Sequence, residues 1–406
     1  MKTRLAGVDA TRGVALLGMM AVHSLYESDA QGHPTWSFAV FGGRAAATFA
    51  VLAGVGIAFM TGRRRVRAAD GLPTVAALAA RALAILAIGL ALGYTDASLG
   101  AVILPYYAVM FLLAIPVVFL PTWAVAVTGA IVAVGAPVLS HFALARLPQA
   151  TLLNPTLGYL LQHPLSLLSE LSITGEYPAL PWMAYLCAGI LLGRLTLSRV
   201  KVATWLLAGG TALAVAATTV SWLLLNHYGG LTQILATIPQ STLTAPETQE
   251  MLALGGDGTV PTVTWWWLAV DAPHTSTTPD LLGTIGAAVA LLGLMLLAGH
   301  VTAKWPRRII AVFQKPLAAA GGMTLTLYTA HIMFLNSDYD VYSAGTGYLV
   351  QVAAVLLIGL SWRATAGRGP LEALVATLSS WARRWAESGW RLPRLRLRRE
   401  PAGEGA

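Results

Sequence analysis

Apolar residues in this chain gather into long runs, and most polar residues are confined to the gaps between them. Runs near the ~20 residues that cross a bilayer as helix cover 7–26, 37–61, 74–93, 100–120, 123–142, 179–197, 202–226, 280–302, 316–335 and 344–362. The pattern predicts an all-α fold, a polytopic integral membrane bundle of about ten transmembrane helices. The first run is not read as a cleavable signal, because Asp9 and Arg12 interrupt it and no small-residue cleavage pattern follows. Two connections are long, 143–178 and 227–279, and loops of that length usually carry function or disorder. The first holds Leu160, Leu161, Leu167 and Leu168, which read as an interfacial helix. The second holds Trp265-Trp266-Trp267, either an aromatic belt at headgroup level or a wall over an outward-facing site. No internal repeat or inverted half is visible.

Composition agrees with a membrane protein. Apolar residues make up 56% of the chain and charged ones 11%, against roughly 25% charged in soluble domains. The Lys/Arg bias of short loops sets orientation. With both termini cytoplasmic, Arg63-Arg64-Arg65-Val66-Arg67, Arg194/Arg199/Lys201, Lys304/Arg307/Arg308/Lys315 and the Arg-rich end all fall inside, and only Arg44 and Arg146 fall outside. The net charge of +8 is therefore the positive-inside bias and not a nucleic-acid signal. The chain divides into a transmembrane domain over 1–362 and a basic cytoplasmic tail over 363–406. In that tail Trp381, Trp385 and Trp390 alternate with arginines, as in a segment lying on anionic lipid. The single cysteine, Cys187, excludes an internal disulfide and a multi-cysteine metal site.

Ionisable residues inside a span are expensive, and they mark functional sites by default. Asp9, Arg12 and His23 share the first helix. Arg12 and His23 lie eleven residues apart on one face, roughly 16 Å along the axis, and Asp9 can pair with Arg12 at i+3. Of the eight histidines, His23, His33, His141, His163, His227, His274 and His331 fall at or beyond the outer half, and only His300 at the inner end. A proton-transfer site should face outward. His141, His163 and His227 are read as solvated. Arg44 follows paired glycines at a depth similar to His23, and Thr324, Tyr328 and His331 form a stripe on one helix face. His274 and Asp280 flank a threonine-rich segment that is either a helix cap or part of the site.

Several of these residues resemble known families. Val8-Asp9-Ala10-Thr11-Arg12-Gly13 is similar to the V-D-T-F-R-G run opening the heparan-α-glucosaminide N-acetyltransferase catalytic domain. The spacing continues through His33-Pro34-Thr35-Trp36, Phe49 and Gly54, which resemble that family's H-A-S-W, F and G. Arg12 and His23, ten residues intervening, are similar to the arginine-histidine motif of the acyltransferase-three family. Gly321-Gly322-Met323-Thr324-Leu325-Thr326-Leu327-Tyr328 and Gly369-Pro370-Leu371-Glu372 resemble the G-x-M-x-L-T-x-Y and G-P-L-E signatures of the YeiB-like domain of unknown function. The resemblance implies a place in the transmembrane acyltransferase superfamily, a catalytic His33 on the outer side and acetyl-CoA approaching from the cytosol. This chain has Gly43-Arg44 where the heparan enzyme has an aspartate, and His23 where it has an asparagine, so a glucosamine acceptor is not carried over.

The expectation is an acyltransferase of the cell membrane that takes an acyl group, acetyl first, from acyl-CoA to an extracytoplasmic glycan or lipid-linked sugar. Asp9 and Arg12 would hold the donor, Arg12 on a CoA phosphate. His33, favoured for its closer spacing match to the heparan enzyme, or His23 would be base or acyl carrier, and Arg44 would stabilise the oxyanion. His274, Asp280, Tyr328 and His331 would contact the acceptor. Expected partners are the bilayer, acyl-CoA and the sugar acceptor, with no nucleic acid and a homodimer left open. The alternative is a transporter or flippase using the same buried polar residues. No metal is expected, since no H-E-x-x-H or C-x-x-C spacing is present.

Overall fold

The structure, a computed structural model, describes residues 5–388. It is all-helical, and the one strand-like feature among the described residues is an isolated bridge between Ser28 and Pro34. The chain runs α1 (Ala6–Ser24), α2 (Trp36–Phe41), α3 (Arg44–Met60), α4 (Gly71–Leu92), α5 (Leu104–Val117) and α6 (Thr122–Ala143). It continues through α7 (Leu157–Gln162), α8 (Pro164–Ser169), α9 (Ala179–Arg194), α10 (Val200–Trp222), α11 (Gly230–Ala236) and α12 (Ala245–Leu254). Then come α13 (Thr278–Ala298), α14 (Lys304–Ala320), α15 (Thr324–Leu335), α16 (Ala344–Thr365) and α17 (Pro370–Glu387).

Six helical segments are long and apolar enough to cross a membrane: Trp36–Met60, Ala68–Leu92, Thr122–Ala143, Val200–His227, Thr278–Ala298 and Ala344–Thr365. Two more, α5 and α9, are apolar but shorter. The run 316–335, read from sequence as one span, is instead divided between α14 and α15, which meet at 77°. Its break falls at Gly321-Gly322, where a Cβ on Gly321 would meet the carbonyl oxygen of Asp9. A bulkier residue there would push the broken helix off α1 at the Asp9–Arg12 turn. In the same way Gly54 and Gly189 bring the α3 and α9 backbones into contact, the small-residue packing that membrane helices use where no hydrophobic drive separates helix from lipid.

Basic loops collect at one end of the bundle. Arg65 Nε donates to the carbonyl of Phe119 (2.7 Å), Arg194 Nη1 to that of Leu120 (3.1 Å), and His300 Nε2 lies 2.9 Å from that of Ser198. The start of α1 lies at this end, since a Cβ on Gly7 would meet Met295 and Leu296 at the close of α13. His23 lies at the opposite end.

Both long connections are folded. In 143–178, α7 and α8 leave Leu157, Leu161, Leu165 and Leu168 exposed, the apolar face an interfacial helix presents. In 227–279, Trp267 is buried with Ile234, Val260, Val270 and Ala272 in a small core of its own, so this tryptophan is not a headgroup anchor. Gly256 and Gly258 donate to the carbonyls of Pro273 and His274 at 3.0 and 2.7 Å, clamping that strand of chain beneath the folded loop. Past residue 363, α17 packs along α4, with Ser379 Oγ donating to the carbonyl of Ala77 (2.8 Å). Trp390 and the arginines from Arg391 onward lie outside the described residues.

Candidate functional site

Two polar centres stand at the two ends of α1. At its C-terminal end, His23 Nδ1 lies 3.1 Å from His331 Nε2, and the rings are nearly parallel at 7° with centroids 5.3 Å apart. That centroid separation with so short an N···N contact means the rings meet edge to edge, sharing an N–H···N bond. His331 Nδ1 lies 2.6 Å from Gln351 Oε1 on α16, and Gln351 Nε2 donates to Ser24 Oγ (3.4 Å). Gly100 lies against the His23 ring and leaves it the room it occupies.

The chain around Gly100 is held from two sides. Asn154 donates to the carbonyls of Thr95 (3.1 Å) and Gly100 (3.3 Å) and accepts from Val102 N (2.7 Å). The Tyr328 hydroxyl accepts from Ile103 N and donates to the carbonyl of Ala101, each at 3.3 Å. On the same helix as His331, Tyr328 shapes the loop beside His23.

His274 is within electrostatic reach of His23. Its backbone is left-handed (φ 55°), its ring lies parallel to Trp182 and edge-on to Tyr177, and its Nδ1 has no hydrogen-bond partner. Burial pushes its pKa down to about 4, keeping the imidazole neutral. Glu176, adjoining Tyr177, is pushed up to about 7 by burial, and the charges of Asp257 and Glu27 act in the same direction. Burial also raises Glu27, with Glu250 and Asp257 adding to it. This acidic rim was visible in the sequence only as outer-side charge.

At the other end of α1, Arg12 Nη1 meets Asp9 Oδ1 at 3.4 Å and Arg12 Nη2 donates to the carbonyl of Leu52 at 3.4 Å. Arg81, midway along α4, lies within electrostatic reach of Arg12 and of Glu372. Its guanidinium sits over the Phe111 ring, 5.2 Å from the centroid, and its Nε has no hydrogen-bond partner. Arg81 was missed in the sequence, although a lone arginine inside an apolar run is a signal in itself.

Other expected site residues stand apart from the histidine pair. His33 lies on the loop before α2 with its side chain 77% exposed and 3.6 Å from Asp29. Arg44 Nη1 donates to the carbonyl of Ala39 (2.6 Å), and its charge reaches Asp271. Asp280 accepts from Ser276 N (2.9 Å), and Thr277 Oγ1 accepts from Asp280 N (3.3 Å), so Thr277 caps α13 while Asp280 holds the turn before it. His141 is a correction: it is buried, not solvated, with its ring 4.2 Å from that of Trp265. His163 and His227 are exposed as expected.

Residues 4–225, more than half the chain, match the model of the heparan-alpha-glucosaminide N-acetyltransferase catalytic family. The chain belongs to this family. It is accordingly a multi-pass member of a membrane acetyltransferase family. No curated protein matches it. The family match contains Arg12, Arg81 and His23 but ends before His331 and Gln351, so the partners of His23 come from the part of the chain beyond the match.

Proposed function

We propose that this protein transfers an acyl group, acetyl first, from cytosolic acyl-CoA to a hydroxyl or amine on an extracytoplasmic glycan or lipid-linked sugar. The observation that carries the reading is the placement of Arg12 and His23 on one helix. They stand eleven positions apart, roughly 16 Å of α-helix, the reach of an extended pantetheine arm between phosphate and thioester. Arg12, steadied by Asp9, holds a donor phosphate in a planar guanidinium fork. His23 takes the proton of the acceptor as its oxygen or nitrogen bonds to the thioester carbonyl carbon. The C–S bond then breaks, and His23 returns the proton to the leaving thiolate.

His23 is assigned the base role over His33, which is exposed on its loop and paired with Asp29. His274 and Tyr328 face the acceptor side, and Arg44 and Asp280 support the neighbouring backbone. Topologically, α1, the six long apolar segments, α5, α9 and the bent α14–α15 unit make ten crossings of the plasma membrane. Both termini are then cytoplasmic, which puts the basic loops inside as charge bias requires. The test is acyl-CoA turnover by detergent-purified protein with a panel of sugar acceptors. Turnover with at least one acceptor is expected. Substrate-dependent ion or solute flux in vesicles without turnover would support a transporter and overturn the reading.

A further inference from the structure

His331 and Gln351 lie outside the family match, and no role is given them by it. We infer that Gln351 is a positioning residue that fixes the direction of the protons in the His331–His23 pair and leaves the Nε2 lone pair of His23 free for chemistry. This rests on the acyl-transfer reading.

The argument follows donors and acceptors in turn. A Gln side chain has one carbonyl acceptor and one amide donor. The Gln351 amide is oriented with its nitrogen toward Ser24 Oγ at 3.4 Å and its carbonyl toward His331 Nδ1 at 2.6 Å. A carbonyl can only accept, so His331 Nδ1 carries a proton. In a neutral imidazole the other nitrogen is then a bare lone pair, and His331 Nε2 must accept. The only hydrogen left for the 3.1 Å contact is on His23 Nδ1. His23 Nε2 is therefore unprotonated, the form a general base needs.

Burial gives this order its force. His331 and Gln351 are both buried, where an unsatisfied donor or acceptor costs more than a made bond contributes. With the Gln351 amide in this orientation, reversing one proton would set N–H against N–H or lone pair against carbonyl along the row. When His23 accepts the acceptor's proton at Nε2, its Nδ1–H still points at His331, which shares the new positive charge. A neutral imidazole in this place avoids an unpaired carboxylate inside the bundle. His274, the other titratable group within reach of His23, lies beyond this row and does not enter it.

The test is 15N NMR of histidine-labelled wild-type protein in detergent near pH 7.5, with His23 and His331 assigned by single substitution. Both should be neutral with the proton on Nδ1. A proton on Nε2 of His331 would overturn the proposal whatever the activity. Kinetically, Gln351→Met should lower kcat by about 10- to 100-fold, part of the range a positioned base supplies, with KM for acyl-CoA unchanged. Gln351→Glu, which keeps an acceptor toward His331, should recover most of that loss. Equal losses in the two variants, or a rise in KM matching the fall in kcat, would reduce Gln351 to packing and contradict the assignment. Expected tautomers in a protein that turns over no acyl-CoA would sink the transfer reading and leave the proton order standing.

Discussion

Glu372 closes the open end of the helix that carries His331. Its Oε1 accepts from Leu325 N (2.6 Å) and Thr326 N (3.2 Å), and its Oε2 accepts from Thr326 Oγ1 (2.6 Å). Thr326 Oγ1 in turn accepts from Leu371 N (3.1 Å). A carboxylate at a helix N-terminus satisfies orphan N–H groups and complements the dipole, and here it permits the 77° break between α14 and α15.

Removing that carboxylate should loosen α15 from its N-terminal end. Hydrogen bonds to charged groups contribute about 1.5–3 kcal/mol each, so Glu372→Ala should lower the unfolding temperature of purified protein by several degrees. Glu372→Gln, which keeps one acceptor, should lower it less. An unchanged melting temperature in both would mean the cap is not what holds the break.

Arg81 and Arg12 should both matter to the donor. Arg12→Ala and Arg81→Met are each expected to reduce the thermal stabilisation that acyl-CoA gives the protein, by the linkage between ligand affinity and apparent stability. Their response to phosphate-free acyl-pantetheine should stay the same. Undiminished stabilisation by acyl-CoA in Arg81→Met would confine that arginine to its stack on Phe111.

The buried groups at the His23 end predict opposing pH dependences. His274 titrates at about 4 in place of 6.5, so the stability tied to its neutral form is present above pH 6.5 and is lost as pH falls toward 4. Glu176 titrates at about 7 in place of 4.5, so its contribution is full below pH 4.5 and is lost as pH rises through 7. Either is worth at most about 3 kcal/mol. His274→Phe should flatten the acid limb of melting temperature against pH, and Glu176→Gln the limb between pH 4.5 and 7. Curves that keep their wild-type slopes would place both groups in water.

Membrane sidedness is open to labelling. Single cysteines in 227–279 should react with an impermeant thiol reagent added outside cells, and those in 63–70 should not. The reverse pattern would turn the bundle over and put His23 on the cytoplasmic side.

Much of the helical architecture was legible because membrane helices must be apolar along their length, a signal that survives without any partner. The histidine pair was only half legible. His23 and His331 were each marked by sitting in apolar helices, but they are 308 residues apart, and no local pattern joins them. Gln351 left no mark, since a single amide hardly lowers the mean hydropathy of a 22-residue apolar helix. The break at Gly321-Gly322 was hidden for another reason. Its missing backbone bonds are supplied by Glu372, 46 residues beyond Thr326. The favour shown to His33 came from motif spacing along the chain, which says nothing of whether a loop turns inward.

Single-turnover transfer from acyl-CoA with His23→Ala and His33→Ala tests the central claim most directly. His23→Ala should lose about 10²- to 10⁴-fold in rate, the contribution of a positioned base, while still binding acyl-CoA, and His33→Ala should stay within about 10-fold of wild type. A large loss in His33→Ala with a near-normal rate in His23→Ala would contradict the account and move the chemistry to the exposed loop.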